Sequence, residues 1–181
     1  MPRGFDYSNQ NELYSQMPEN IKSVLGEKNS SKRMLSLLGW QLLAENLPNK
    51  ALLAEVQFEE KGKPYIPNSS VYFNVSNTKG LVVLAMHNNP VGIDVERLRE
   101  PKEAIYSRVF CPEEVRSIAC SEDFTRLWTR KEAVVKLFGG GLSMGLNSFS
   151  VLSDEFEVFG KRVKIEPVLI DGFIAHCAVY V

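Results

Sequence analysis

Histidine and cysteine are scarce in this chain, with two histidines and three cysteines among 181 residues. Cys111, Cys120 and Cys177 are odd in number and fit no Cys-x-x-Cys spacing, which argues against a disulfide framework or a zinc cluster and for reduced thiols. Neither His87 nor His176 has a nearby serine or cysteine in a spacing that marks nucleophilic catalysis, so no role is assigned to either. An excess of one charge is also missing: 21 Lys+Arg against 22 Asp+Glu leave a net charge of -1. No global field therefore points to nucleic acid or to an anionic membrane, and a phosphate ligand must be caught locally. Long hydrophobic runs are absent as well. The longest plainly aliphatic stretch is residues 81–86, and the polar first ten residues lack the basic and then apolar segments of a signal peptide. The expectation is a cytoplasmic protein.

Hydrophobic residues make up 44% of the chain, enough for one compact domain or two small lobes sharing a core. Carboxylates and lysines are plentiful, which favours metal-assisted or electrostatic catalysis if the protein is an enzyme. Residues 1–12, polar and Asn-rich, read as a loose arm. Ser30 and Ser31 can cap a helix in which Met34, Leu35, Leu37, Leu38, Leu42 and Leu43 recur at helical spacing up to Pro48. A strand is expected over residues 52–58, then a turn-rich loop over 60–67 that carries Lys61 and Lys63. Residues 71–76, 81–86 and 91–96 read as a three-stranded meander. Pro112, Glu113 and Glu114 look like the first turn of a helix, and a stronger helix runs over 123–138 until Gly139-Gly-Gly141 ends it. Residues 149–181 form a second β-rich unit. Helix and sheet thus occur twice, and no Ser-, Gly- or Pro-rich linker divides the chain. Two α+β lobes, 1–90 and 91–181, packed as one compact unit are expected.

Three clusters bear chemistry. In Val91-Gly-Ile-Asp-Val-Glu96 the strand period of two puts Asp94 and Glu96 on one face, where two carboxylates can share a hard cation such as Mg²⁺. The same pattern also fits the solvated face of an edge strand. In Leu127-Trp-Thr-Arg-Lys-Glu-Ala-Val-Val-Lys136, Glu132 and Lys136 share a helix face one turn apart, as an ion pair would. Arg126, Arg130, Lys131 and Lys136 surround the single carboxylate Glu132, which suits a polyanion that Glu132 reaches through a metal. The bare backbone at Gly139-Gly-Gly141 caps the helix and also permits close approach by a substrate. Lys63 and Lys79 by themselves read as ordinary loop lysines, and Ser76 and Asn77 as turn formers or ligand contacts, with no preference between the two.

Taken together, Lys61-Gly-Lys-Pro64, Phe73-Asn-Val-Ser76, Val91-Gly-Ile-Asp-Val-Glu96, Arg108-Val-Phe-Cys-Pro-Glu-Glu114 and Trp128-Thr-Arg-Lys-Glu-Ala-Val-Val-Lys136 resemble the ordered motifs of the 4'-phosphopantetheinyl transferases, in the two-lobed form that activates peptide synthetases. The resemblance runs from about residue 31 to the C-terminus. It implies an α+β fold of two pseudo-symmetric lobes, each a small antiparallel sheet packed on a long helix, with the active site in the cleft between them. It also implies transfer of the phosphopantetheine arm of coenzyme A to a serine of an acyl or peptidyl carrier protein, with release of adenosine 3',5'-bisphosphate. By motif, Asp94, Glu96 and Glu132 look like ligands of Mg²⁺, with Mn²⁺ as a substitute. Glu132 or a metal-held water would deprotonate the incoming serine, and Lys136 would neutralise the transferred phosphate. Lys63, Pro64, Ser76 and Asn77 would hold the nucleotide part of coenzyme A. Glu114 matches a family glutamate near the metal site, and Arg33 loosely matches a basic residue that reaches the 3'-phosphate. A single chain carrying both lobes implies a monomer.

The chain departs from the family pattern at two places. Where the family has histidine after Phe-Asn-Val-Ser, this chain has Asn77, which hydrogen-bonds but brings no positive charge. The N-terminal lobe also looks short, with no strand ahead of the helix at Ser30. The competing reading is a degenerate, noncatalytic relative that binds coenzyme A or a carrier protein. Joint retention of Asp94, Glu96, Glu132 and Lys136 argues for the enzyme, because binding alone does not require all four.

Overall fold

The computed structural model describes residues 10–26 and 30–181. Three helices open it: α1 (Gln10–Gln16), α2 (Glu19–Leu25) and α3 (Ser30–Asn46). Leu13, Met17, Ile21 and Leu25 fall at every fourth position and pack into one cluster with Leu37 and Leu43 of α3. Residues 10–12, expected to end a loose arm, therefore begin a helix, while residues 1–9 lie outside the described residues. The strand expected over 52–58 is mostly a 3₁₀ helix, Lys50–Glu55. Asn49 caps it by accepting the Ala51 N–H, and Lys-Ala-Leu-Leu-Ala-Glu has no β-branched residue to favour extension. Only Gln57–Phe58 (β1) is extended, paired with Pro64–Tyr65 (β2) across the Lys61-Gly62 turn.

The hairpin of β3 (Tyr72–Thr78) and β4 (Leu81–His87) packs one face on α3. Gly39 of α3 lies so close to this sheet that a Cβ there would stand 2.8 Å from the Val75 side chain. The expected three-stranded meander does not form. Strand β5 (Val91–Glu96) leaves the hairpin and joins a second sheet in the order β5-β8-β7-β6, with β6 Glu155–Val158, β7 Lys161–Pro167 and β8 Ile174–Tyr180. All its pairings are antiparallel. Between β5 and the end of the chain come α4 (Tyr106–Val109), α5 (Pro112–Ser117) and α6 (Ser121–Phe138). Helix α6 covers the four-stranded sheet and centres the second core, in which Phe124, Leu127, Val134 and Leu137 meet Val163, Ile165 and Ala178.

The fold is thus α+β in two lobes, each a long helix on a small antiparallel sheet. The lobes match in plan and differ in the sheet that the long helix covers, two strands in the first and four in the second.

Candidate active site

Glycine 92 sets the distance between α6 and β5. A Cβ there would collide with the Ala133 carbonyl and the Leu137 amide, both helix backbone. With hydrogen in that place the helix settles directly on the strand, and its residues 132 and 136 come level with Asp94. Asp94 is 5% exposed, and its Oδ1 accepts hydrogen bonds from Ser76 Oγ at 2.9 Å and Lys136 Nζ at 2.6 Å. Lys136 also donates to Ser76 Oγ at 2.8 Å. The surface ion pair considered for Glu132 and Lys136 is replaced by a pair within the second lobe, Lys136 with the more deeply buried Asp94, and the lysine's bond to Ser76 reaches across to the first lobe.

The face of β3 turned towards β5 is polar at alternate positions. Asn74 Oδ1 accepts the Ile93 N–H at 2.9 Å, Ser76 Oγ the Val95 N–H at 3.4 Å, and Thr78 Oγ1 donates to Glu96 Oε2 at 3.1 Å. Asn74 and Ser76 accept backbone N–H groups as a strand ladder would, and with Thr78 they join the lobes without making one sheet. Ser76 therefore stands beside Asp94 and Lys136. Asn77 projects from the opposite face of β3, exposed, into a cavity of about 210 Å³ shared with Ser36, Gly39, Trp40, Phe58 and Pro64.

A cavity of about 270 Å³ lies between the lobes, lined on one side by Lys61, Gly62, Lys63, Pro64 and Asn74, and on the other by Glu132, Lys136, Gly139 and Gly141. Pro64 and Gly62 border both cavities. Lys63 Nζ donates to the Leu137 carbonyl at 2.6 Å, at the end of α6 where the helix dipole favours a cation, and burial pulls its pKa down against the pull of Glu59. The close approach foreseen at the glycine run is made by this loop, since a Cβ on Gly139 would meet Glu59 and Lys63.

Of the four cations on α6, only Lys136 lines the cleft cavity. Arg130 donates to the Val151 and Ser153 carbonyls and pairs with Asp154 at 2.9 Å. Lys131, 1% exposed, pairs with Glu114 at 2.8 Å and donates to the carbonyls of Leu146 and Phe149, and Arg126 pairs with Asp123. Arg130 and Lys131 face the irregular segment 145–154, whose backbone has few ladder partners, so their charge is spent on structure, while Arg126 is paired on its own helix. Glu114 shares that fate: fully buried, it accepts the N–H groups of Cys111 and Val151 and pairs with Lys131. Arg33 donates to the carbonyls of Leu25 and Gly26, holding the end of α2, and borders neither cavity.

Three carboxylates converge beside Lys136. Burial first and Asp94 second push the Glu132 carboxyl above its ordinary range, with Glu96 adding to the rise. Burial likewise raises Glu96, against Arg99 and with Asp94. Asp94 Oδ2 is buried with no hydrogen-bond partner, which costs free energy unless a donor or a cation fills the place. Among the described residues no three His, Cys, Asp or Glu side chains stand placed to hold a metal ion together. An orphaned oxygen beside two carboxylates whose pKa values burial and Asp94 both raise nevertheless fits a hard divalent cation that takes its remaining ligands from water and phosphate.

Comparison with known proteins decides the family. The chain is 33% identical over 177 residues to the 4'-phosphopantetheinyl transferase gsp of Aneurinibacillus migulanus, covering 91% of this chain and 70% of that relative. The chain belongs to the 4'-phosphopantetheinyl transferase superfamily. The model of that superfamily matches residues 90–172, which span β5, α6 and most of the second sheet. The 4'-phosphopantetheinyl transferase Sfp of Bacillus subtilis (strain 168) is 35% identical over 100 residues, 51% of this chain and 45% of that relative. A further Bacillus subtilis transferase is 37% identical over 108 residues, 55% of this chain and 48% of its own length. The chain thus spans about half the length of the Bacillus subtilis transferases.

Sequence reasoning missed Arg99, Thr78 and Asn74. The alternation Asn74-x-Ser76-x-Thr78 and the three-residue spacing of Glu96 and Arg99 were the available signals.

Proposed function

We propose that this chain transfers the 4'-phosphopantetheine group of coenzyme A to a serine of an acyl or peptidyl carrier protein. The observation that carries the reading is the meeting of Asp94, Glu132 and Lys136 in one cleft, with Asp94 Oδ2 left without a protein partner. Asp94, Glu96 and Glu132 would hold Mg²⁺, or Mn²⁺ in its place. Such an ion supplies charge neutralisation for the pyrophosphate.

The chain's own residues do the rest. Lys136 reaches the phosphate being transferred from its resting place on Asp94, bringing positive charge where negative charge shifts in the transition state. Glu132, made more basic by burial and by Asp94, accepts the proton of the serine hydroxyl. The serine oxygen forms a bond to the phosphorus that carries the pantetheine arm. The bond from that phosphorus to the bridging oxygen breaks, and adenosine 3',5'-bisphosphate leaves with the electron pair. Lys63 and Pro64 border the nucleotide, with Asn77 on the far side of Pro64. Two lobes divided near residue 90 form the cleft from one chain, so a monomer suffices. Coenzyme A is drawn from the cytoplasm, where we place the reaction.

Intact-mass measurement of a carrier domain incubated with the protein, coenzyme A and Mg²⁺ tests this. The carrier should gain one phosphopantetheine on its serine, a chelator should stop the gain, and Mg²⁺ or Mn²⁺ should restore it. Asp94→Asn should stay folded and lose transfer. Coenzyme A binding without any change in carrier mass would instead favour the noncatalytic reading.

A further inference from the structure

Arg99 stands where β5 hands the chain on towards α4, and three contacts fix it. Its Nη1 pairs with Glu96 Oε1 at 2.9 Å, its guanidinium lies 4.4 Å from the Trp128 ring centroid, and its backbone N–H donates to Thr125 Oγ1 at 2.9 Å. Trp128 is in turn stacked on Phe124, a fully buried member of the second core. Thr125, also fully buried, donates to the Ser121 carbonyl and is held by α6 itself. A continuous path of packed groups thus runs from the core of one lobe through Trp128 and Arg99 to one oxygen of Glu96. The other oxygen is taken by Thr78 of the opposite lobe.

We propose that Arg99 is a positioning residue for Glu96: clamped on Trp128, it holds the carboxylate in the orientation that lets it join Asp94 and Glu132 around the divalent cation. The proposal rests on the metal-dependent reading above. A carboxylate with one hydrogen bond on each oxygen keeps lone pairs for a metal or its waters and has lost its rotamer freedom, as ligands held by outer-shell partners do. Arginine suits this task because its planar fork can pair with a carboxylate and stack on an indole together, which lysine does not reproduce.

Two roles for Arg99 predict opposite signs. If it only balances charge, Arg99→Gln removes a cation beside the metal site and tightens metal binding, while Arg99→Lys leaves it unchanged. If it positions Glu96, Arg99→Gln weakens metal binding by roughly tenfold or more, and Arg99→Lys, despite its charge, also weakens it, to a lesser degree. Mn²⁺ affinity in the presence of coenzyme A, read from the free-ion signal in electron paramagnetic resonance, measures this without turnover. Circular dichroism confirms that each variant is folded. Weaker Mn²⁺ binding by both variants supports the proposal, and unchanged or tighter binding by Arg99→Gln overturns it. Absence of saturable Mn²⁺ binding by the wild-type protein overturns the metal reading itself, and the proposal with it.

Discussion

At the scale of single residues, the same side-chain types serve different ends according to where the backbone points them. Lys131 and Lys136 are five residues apart on one helix, yet one neutralises Glu114 in the core and the other meets Asp94 in the cleft. His176, to which the sequence assigned no role, shows the same dependence on place. It is 4% exposed, its Nδ1 shares a 2.8 Å hydrogen bond with Thr129 Oγ1, and its pKa is held down to about 4, by burial first, then by Arg130 and Arg126, with Asp154 pulling the other way. The imidazole is therefore neutral in the folded protein where the unfolded chain, with a pKa near 6.5, takes up a proton. Stability from this group is present above about pH 6.5 and is lost as the pH falls towards about 4, by up to ~3 kcal/mol. Thermal melts across that window should show a falling midpoint, and His176→Gln, neutral throughout, should flatten the fall. A wild-type midpoint with no more pH dependence than the variant would show that His176 is protonated in the fold.

At the scale of elements, close approach decides the site. Most helices and strands could be read from hydrophobic period and turn residues, including α3, β3, β4, β5, α5 and α6. The misreadings were local. Asn49 turned an expected strand into a 3₁₀ helix, and the four-residue recurrence of Leu13, Met17, Ile21 and Leu25 went unread because polar residues surround it. The pairing of β5 had no local signal at all, since strands of similar composition can join either sheet. Gly92 carries more weight than its size suggests. Gly92→Ala puts a methyl group against the backbone of α6, which has no rotamer by which to yield, so the helix must move off the strand. We expect a loss of about 1–3 kcal/mol in urea unfolding. Transfer activity should fall further than stability alone explains, because Glu132 and Lys136 travel with the helix. An alanine variant with wild-type stability and activity would mean that α6 rides higher on β5 than the structure places it.

At the scale of the whole molecule, two cores are joined through a polar seam, and the buried Glu114–Lys131 pair holds the second core to segment 145–154. Burial lowers the Lys131 pKa against the pull of Glu114, so removing the carboxylate leaves an ammonium group with carbonyls only. Glu114→Gln should cost roughly 3–5 kcal/mol in denaturant unfolding, while Mn²⁺ affinity of the folded fraction stays within twofold of wild type. A loss of metal affinity without loss of stability would return Glu114 to the metal site. The sequence by itself determined the composition of the cleft. Asp94 and Glu96 share a strand face, Glu132 and Lys136 share a helix face, and both follow from the periods of strand and helix. Only the tertiary structure decided which charges remain for chemistry. A cation is spent or kept according to the carbonyls and carboxylates that other segments bring to it, as segment 145–154 does for Arg130 and Lys131. Those encounters join residues 15 to 24 positions apart, where no local periodicity reaches.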